Sequence, residues 1–151
     1  MSEAAFAKYT AGHIPAYAED KIKSGQWQRD EALELSRRNF HELLPEGLAT
    51  PDHHLFEICS DDETVGALWF AVLPRGKHRT AYVYDVLVYP PHQGQGHGTR
   101  AFRALEDFVK ERGLAGIALQ VFGHNPGAQK LYRRLGFYPT NIHMFKSIAP
   151  R

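Results

Sequence analysis

Three glycines at alternate positions mark the stretch of this sequence with the clearest chemical potential. Gly94, Gly96 and Gly98 belong to the run QGQGHG at positions 93–98. Because glycine has no side chain, backbone N–H groups in such a run stay accessible to a ligand. A helix is predicted to begin at Thr99, and the positive end of its dipole points at the same place. Together these features predict an anion site, with phosphate as its natural ligand.

The segments on either side of this loop are predicted to be a strand and a helix. Residues 82–88 are rich in β-branched and aromatic side chains and are soon followed by Pro90-Pro91, as at the end of a strand. After Thr99, apolar residues recur at three- and four-residue steps as far as Val109, and Gly113 ends the helix. Strand, glycine loop and helix in this order are typical of phosphate binding, but they do not identify the ligand.

Two general phosphate-binding motifs fit the loop poorly. A P-loop ends in Gly-Lys-Ser/Thr, whereas Gly98 is followed by Thr99 and Arg100. A dinucleotide fingerprint can be traced through Gly96, Gly98 and Ala101, but the next predicted strand has no Asp or Glu for a ribose hydroxyl. A nucleotide or dinucleotide binder stays open as one alternative.

The rest of the chain is predicted to contain further helices and strands. Amphipathic helices are expected over residues 6–24 and from an N-cap at Asp30 to residue 44. Strands are expected over residues 54–60, 64–73 and 116–122. Asn125-Pro126 is typical of a helix start, and residues 137–146 are expected to form a last hairpin or pair of short strands. This order predicts an α/β protein with a mixed sheet.

Composition limits the classes to which the protein can belong. A length of 151 residues suits one domain, 1–151, with a single buried core. A net charge of +1 gives no basic surplus for a nucleic-acid partner. The single cysteine excludes an internal disulfide framework and favours a cytoplasmic location. Neither a signal layout nor an apolar run of membrane-spanning length is found, so no membrane partner is expected.

Nine histidines raise the question of a metal site. His53 and His54 are adjacent, so their side chains are expected on opposite faces of a strand. His92 and His97 flank the glycine loop, and His124 precedes a helix. No spacing matches a structural zinc pattern, so no metal is expected.

Two blocks of this sequence, in this order, resemble the GNAT-type N-acetyltransferases. Gln93-x-x-Gly96-x-Gly98 after a strand resembles the family's acyl-CoA pyrophosphate loop. The block NxxAxxLYxxLGF from Asn125 to Phe137 is similar to the family's second CoA-contacting helix. The resemblance covers roughly residues 54–146, and small bacterial members of undefined substrate are more closely similar. It implies the GNAT fold, a central and mostly antiparallel sheet with splayed strands flanked by helices, with a CoA-binding core at about residues 81–137.

The resemblance also implies acetyl-CoA as the acetyl donor, and it assigns residues to the site. Tyr132 matches the proposed general acid that protonates the departing thiolate, although helical spacing alone also suits a core tyrosine. Asn125 matches a CoA-side position and is also a helix cap. The implied cofactor-binding residues lie on the strand, in the loop and at this cap: Val86, Leu87, Val88, Gln93, Gly94, Gln95, Gly96, His97, Gly98, Thr99 and Asn125.

The general base is where this sequence departs from the family pattern. Some members have a glutamate on the strand before the second block, and Gln120 stands at that position and cannot accept a proton. Asp85, beside the expected thioester, is the remaining candidate, since its carboxylate is expected to be partly desolvated. A structural aspartate, His124 as the base, proton loss through water and a neutral substrate are the alternatives that stay open.

The resemblance implies direct attack of a primary amine, from a small molecule or a peptide, on the thioester. A catalytically silent CoA-binding or sensor module is the alternative, because Gln120 replaces the glutamate. The acceptor is not identified by the sequence, and neither is the presence of the family's first strand. A homodimer is possible, since dimers are common in such folds.

Overall fold

The computed structural model describes residues 1–149. Two helices, α1 (Glu3–Lys23) and α2 (Arg29–Leu43), precede a meander of three strands, β1 (His53–Ser60), β2 (Glu63–Arg75) and β3 (His78–Val88). Helix α3 (His97–Glu111), strand β4 (Ile117–Leu119) and helix α4 (Pro126–Arg134) follow. Short 3-10 turns lie at Gly47–Ala49 and Pro90–His92.

The strands form one sheet in the order β1-β2-β3-β4. The first three strands are antiparallel, whereas β4 runs parallel to β3, to which α3 connects it. The predicted mixed and mostly antiparallel α/β sheet is therefore confirmed. Pairing between β3 and β4 extends only from Ala81↔Ile117 to Val83↔Leu119, while β3 continues to Val88. The two strands splay apart beyond that point.

Strand β2 is buried on both faces because helices cover the sheet from either side. Successive side chains of a strand point to opposite faces. Trp69 packs with Tyr9 and Phe40 in a core between the sheet and α1–α2. Phe70 packs with Phe102 in a second core between the sheet and α3. The two cores fix the sheet between two helical layers, which leaves the open end of the splayed strands as the accessible part of the sheet.

Several predicted boundaries were wrong by a few residues. Helix α2 is capped at Gln28 and not at Asp30, since the Glu31 side chain accepts a hydrogen bond from the Gln28 N–H at 3.3 Å. Helix α3 begins at His97, two residues early, because Gly96 adopts a left-handed φ of 82° as its cap. Strand β4 covers only Ile117–Leu119 of the predicted 116–122, because its partner strand diverges.

The predicted last hairpin over residues 137–146 was also wrong. Within the described part of the chain no strand forms after β4. The segment has no regular secondary structure and is exposed, with Tyr138, Ile142, Met144 and Phe145 all largely accessible to solvent. A strand needs a partner for its backbone, and here none of the sheet's strands lies beside this segment.

Gly66 provides a test of how tightly β2 and β3 approach at the splayed end. It lies opposite Val88, and an added Cβ would collide with the carbonyl oxygen of Leu87. We expect Gly66→Ala to lower the free energy of unfolding by about 1–3 kcal/mol, because backbone has to shift to make room. Urea denaturation measures the change.

Gly12→Ala is the matched control for this substitution. Gly12 lies inside α1 with open space around the added Cβ. Alanine there should raise the free energy of unfolding by about 0.5–1 kcal/mol, since glycine weakens helix interiors. Equal stability of Gly66→Ala and the unmodified protein would show that the approach of the two strands is looser than described.

Candidate active site

A β-bulge in β3 lies where β3 separates from β4, and this separation opens the candidate active site. Trp69 pairs with Asp85 and Phe70 pairs with Val83, so Tyr84 is the extra residue on β3. A bulge bends a strand and increases its twist. Since the last pair between β3 and β4 is Val83↔Leu119, the strands part at this bulge. The space between residues 84–88 and residues 120–122 is called the β3–β4 gap below.

Two backbone positions of β3 face this gap. The Tyr89 N–H donates to the Val65 carbonyl at 2.8 Å, so Tyr89 faces β2. In an antiparallel pair, successive residues direct their backbone N–H and C=O groups alternately towards and away from the partner strand. The backbone groups of Leu87 therefore point to β2, and those of Val86 and Val88 point into the gap. The Gln93 side chain donates to the Val88 carbonyl at 2.9 Å, in agreement with this direction. The N–H groups of Val86 and Val88 are therefore available to a ligand, and that of Leu87 is not.

The glycine loop lies at the open end of the gap. Gly94 and Gly96 have φ values of 74° and 82°, in the left-handed region that favours glycine. The first N–H groups of α3 have no partner inside the helix and point into the same space. A cavity of about 500 Å³ lies beside the loop, lined by Gly94, Gly96, Thr99, Arg103, Leu131, Arg134 and Leu135.

Two arginines of this cavity were missed by the sequence analysis. Arg103 lies one turn after Thr99 on α3, and this i, i+4 spacing was the only signal for it. Arg134 comes from the last turn of α4, so only the packing of α4 against α3 brings it there. Leu131 of α4 would lie 3.6 Å from a Cβ at Gly98, which shows how close the helices are. Arg134 forms no ion pair with any residue of 1–149, so its charge is available to an anion.

Other predicted loop residues have internal partners in the structure. His97 is buried, and its Nδ1 lies 2.9 Å from the Arg100 guanidinium. Arg100 also donates to the Gln95 carbonyl at 2.9 Å, which holds the loop against α3. Asn125 caps α4, because its Oδ1 accepts from the Ala128 N–H at 3.2 Å. The side chains of His97 and Asn125 therefore shape the site, whatever contacts they make with a ligand.

Asp85 is held in place by two side chains of α1. The Tyr9 hydroxyl donates to Asp85 Oδ2 at 2.7 Å, and His13 Nδ1 lies 3.2 Å from the same oxygen. Asp85 Oδ1 has no hydrogen-bond partner in the described residues, and no unpartnered side-chain oxygen there is fully buried. Oδ1 is therefore accessible. Tyr9 and His13 were missed by the sequence analysis, because their i, i+4 spacing on a helix was the only signal for them.

Tyr132 approaches the gap from the opposite side of the sheet. Its ring packs against Phe102 and Phe137, with centroids 5.6 Å from each. Burial raises the pKa of Tyr132, and the negative charge of Asp85 raises this pKa further. The phenol consequently keeps its proton at neutral pH and can donate it. The structure thus brings the two predicted catalytic residues, Asp85 and Tyr132, within electrostatic range of each other.

The second half of α1 covers the mouth of the gap. Tyr17 packs against Phe122 with ring centroids 6.4 Å apart, and His124 Nε2 lies 2.9 Å from Asp20 Oδ1. On β3, Tyr82 and Tyr84 contact each other at a centroid distance of 4.9 Å and are both half-buried. Aromatic rings therefore line the entrance from the side of α1, next to Asp85.

Residues 16–137 match the model of the Acetyltransferase (GNAT) family. The chain belongs to this GNAT family. It is 38% identical over 144 residues to YycN of Bacillus subtilis (strain 168), described as an uncharacterized N-acetyltransferase, which covers 95% of this chain and 90% of YycN. YdgE of the same organism, described in the same terms, is 31% identical over 99% of this chain and 96% of its own length. A crystal structure of YycN superposes with a TM-score of 0.93 at 36% identity, over 99% of this chain and 96% of that one.

The predicted family, fold and enzyme class are confirmed by these similarities, and the protein is a GNAT N-acetyltransferase. Within residues 1–149 of this GNAT enzyme, no group of three or more His, Cys, Asp or Glu side chains is arranged so that it could hold a metal ion. No helix in the same range combines the length and the apolarity needed to cross a bilayer.

The contact between Tyr9 and Asp85 makes the folding stability of this GNAT enzyme depend on pH. Burial, followed by the negative charge of Asp85, raises the pKa of Tyr9 well above its ordinary value. Unfolded Tyr9 ionises near pH 10, whereas the folded residue keeps its proton. The stability that Tyr9 contributes is therefore complete below about pH 10 and declines as the pH rises above it.

We expect Tyr9→Phe to lower the free energy of unfolding at pH 7 by about 1.5–3 kcal/mol, because Asp85 loses a hydrogen-bond donor. The loss of stability above pH 10 should become shallower at the same time. Urea denaturation at neutral and alkaline pH measures both effects. Tyr138→Phe, at an exposed tyrosine, should change neither. An unchanged alkaline decline in Tyr9→Phe would contradict the buried Tyr9–Asp85 contact.

Proposed function

We propose that this GNAT enzyme transfers an acetyl group from acetyl-CoA to a primary amine of a small molecule or peptide by direct attack. One observation carries the proposal. The β3–β4 gap ends at a glycine loop beside a cavity lined by two arginines, and Asp85 of β3 lies close enough to Tyr132 for its charge to raise the pKa of that phenol. We propose further that residues 1–151 act as one domain, in the cytoplasm and as a homodimer.

The loop and cavity fit the diphosphate of a CoA carrier. Left-handed glycines leave the N–H groups of residues 94–99 unshielded, and the α3 N-terminus adds partial positive charge. The guanidinium group of Arg134 would pair with phosphate oxygens through charge-assisted hydrogen bonds, and Arg103, whose Nη1 donates to the Glu106 carboxylate at 3.0 and 3.1 Å, would offer its remaining N–H groups. The Thr99 hydroxyl, in the same lining, would add one more contact.

The backbone of β3 fits the pantetheine part of the same carrier. When bound, acetyl-CoA supplies the acetyl group as an activated thioester. The N–H groups of Val86 and Val88 are directed into the gap, as the edge of a strand is towards an added strand. One of them would polarise the thioester carbonyl, an effect worth on the order of 3 kcal/mol.

Asp85 and Tyr132 divide the proton transfers between them. Asp85 Oδ1 is accessible and accepts a proton from the acceptor amine, while Tyr9 and His13 hold Oδ2 in position. Tyr132 keeps its own proton at neutral pH and delivers it to sulfur. The two groups approach from opposite sides of the sheet, so one proton leaves the amine side as another arrives at the thiol side.

The entrance favours a cationic acceptor. Of the three tyrosines at this entrance, Tyr82 is the ring left for a ligand, since Tyr84 is stacked on Trp69 and His53 and the Lys21 ammonium already lies 5.5 Å from the centre of the Tyr17 ring. Rings of this kind attract ammonium groups, and so does a nearby carboxylate. An amine that is protonated in solution would be drawn to this entrance and lose its proton to Asp85.

A thiol-release assay with acetyl-CoA and a panel of amines tests the proposal. Release that depends on an amine would support it. Heat of binding to CoA without turnover on any amine would instead favour the CoA-binding module. A thermal-shift titration with NAD or ATP covers the nucleotide alternative, since a ligand that binds the native state raises the midpoint.

Substitutions at the two proton-transfer residues should lower kcat more than they change KM. We expect Asp85→Asn and Tyr132→Phe each to reduce kcat by roughly 10²-fold, because each removes one positioned acid or base. The KM for acetyl-CoA should change little, since neither side chain lines the phosphate cavity. Asp52→Asn, at an exposed carboxylate paired with Arg79, is the control. A kcat of Asp85→Asn equal to that of the unmodified enzyme would remove Asp85 from the mechanism.

Arg134 tests the phosphate cavity separately from the chemistry. We expect Arg134→Gln to raise the Kd for CoA about tenfold, the loss of one charge-assisted hydrogen bond. Isothermal titration calorimetry at low and high salt should show the largest difference at low salt. Arg133→Gln changes the net charge equally, but Arg133 does not line the cavity, so its Kd should stay the same. Equal effects of the two substitutions would refute a specific role for Arg134.

A further inference from the structure

Lys21 carries a positive charge beside the mouth of the β3–β4 gap, and this charge has no acidic partner among residues 1–149. Its ammonium lies 5.5 Å from the centre of the Tyr17 ring and 5.2 Å from that of Trp27. It donates to Gln26 Oε1 at 2.8 Å, which leaves two of its three N–H groups for other acceptors. This half-buried cation therefore has capacity left for an anionic ligand.

The two acidic residues that precede Lys21 are both engaged elsewhere. Glu19 accepts a hydrogen bond from the Arg29 guanidinium at 2.7 Å, and Asp20 Oδ1 lies 2.9 Å from His124 Nε2. Burial lowers the pKa of Lys21, and in the described part of the chain no carboxylate offsets this change. An anion bound beside the ammonium would offset it, because an opposite charge favours the charged form of a lysine.

The turn after α1 holds the Lys21 ammonium in place. The Lys21 carbonyl accepts from the N–H groups of Gln26 and Trp27 at 3.0 and 3.3 Å, so the chain folds back around this residue. The Gln26 side chain donates to Ser24 Oγ at 2.9 Å, which turns its oxygen towards the ammonium. Because the side chain is already ordered, a ligand that binds it loses little affinity to side-chain entropy.

One row of side chains on α1 connects Lys21 to the candidate base. Four residues follow each other at four-residue steps, each in contact with the next: Tyr9, His13, Tyr17 and Lys21. Tyr9 and His13, at one end of the row, hold Asp85. Since an α-helix rises about 1.5 Å per residue, Lys21 lies roughly 12 Å along α1 from His13. A negative group and a positive group are thus held at a fixed spacing along the entrance.

We propose that the acceptor is an anionic amine, whose reacting nitrogen lies at Asp85 while a carboxylate roughly 12 Å away binds Lys21. This inference rests on the proposed acetyl transfer to an amine and narrows its acceptor. An extended peptide covers about 3.3–3.6 Å per residue, so a peptide amine and a carboxylate three or four residues away match the spacing. Short peptides with a free carboxylate are the class of substrate that fits.

The same arrangement selects against polyamines. Asp85 and the Tyr82 ring can receive one ammonium group, but a second one at the same spacing would meet the Lys21 ammonium. Like charges repel, and they do so more strongly at a partly buried site than in water. The rings of Tyr17 and Trp27 are also occupied by Lys21, so they do not offer a second cation a place.

Isothermal titration calorimetry with tetraalanine tests the proposal. The peptide with a free C-terminal carboxylate should bind about tenfold more tightly than its C-terminal amide, because the amide cannot form a charge-assisted hydrogen bond with Lys21. Dialanine and its amide should bind equally, since their C-termini lie too close to the amine to reach Lys21. Equal Kd values of tetraalanine and its amide would overturn the proposal.

Substitutions at Lys21 separate ligand binding from a purely structural role. Lys21→Gln should reduce the tenfold ratio to about one, whereas Lys21→Arg should preserve it. Lys23→Gln, at an exposed lysine in the same turn of α1, changes the net charge equally and should leave the ratio intact. A lysine that only stabilises the turn would lower the unfolding midpoint in Lys21→Gln without changing the ratio, and this result would refute the proposal.

The Kd values require neither acetyl-CoA nor turnover, so the two proposals can fail separately. A tenfold preference for the carboxylate without turnover on any amine would support the anion site at Lys21 and refute only the proposed acetyl transfer. Acetylation of tetraalanine and its amide with equal Kd values would support the transfer and refute the role of Lys21.

Discussion

The site depends on one break in regular pairing, the bulge at Tyr84. With Tyr84 inserted opposite the Trp69–Phe70 step, β3 changes direction just after its last contact with β4. If pairing continued, β4 would occupy the backbone groups of Val86 and Val88 and no gap would exist. The bulge also turns Asp85 towards α1, where Tyr9 and His13 hold it. The bulge in β3 thus positions both the β3–β4 gap for the acetyl donor and the candidate base Asp85.

Charge is separated along this site, although the whole chain is nearly neutral. The glycine loop, the α3 N-terminus and Arg134 form a positive end, and Asp85 forms a negative centre towards α1. The positive end suits phosphates, and the negative centre suits an amine. Tyr132 stays protonated at neutral pH because burial and the charge of Asp85 both raise its pKa. The net charge of +1 concealed this arrangement, because it sums over charges that act at separate places.

Residue spacing within short segments predicted those parts of the fold that depend mainly on neighbouring residues. The glycine loop, the two flanking helices and the mixed sheet followed from residue spacing. Tyr9, His13 and Arg134 could not be found in that way, because packing between distant segments brings them to the site. Residues 137–146 were predicted as strands from a correct β pattern, but a strand also requires a partner, which this chain does not supply within its described residues. Leu87 was assigned to the cofactor without knowledge of which backbone groups β2 already uses.

The structure of the protein with CoA bound is the most direct test of the central claim, that the gap opened by the bulge holds the donor. We predict the pantetheine between β3 and β4, with an amide within hydrogen-bond distance of the N–H of Val86 or Val88. The diphosphate should lie on the N–H groups of residues 94–99, beside Arg103 and Arg134. CoA bound at any other surface, with β3 and β4 closed on each other, would contradict the account.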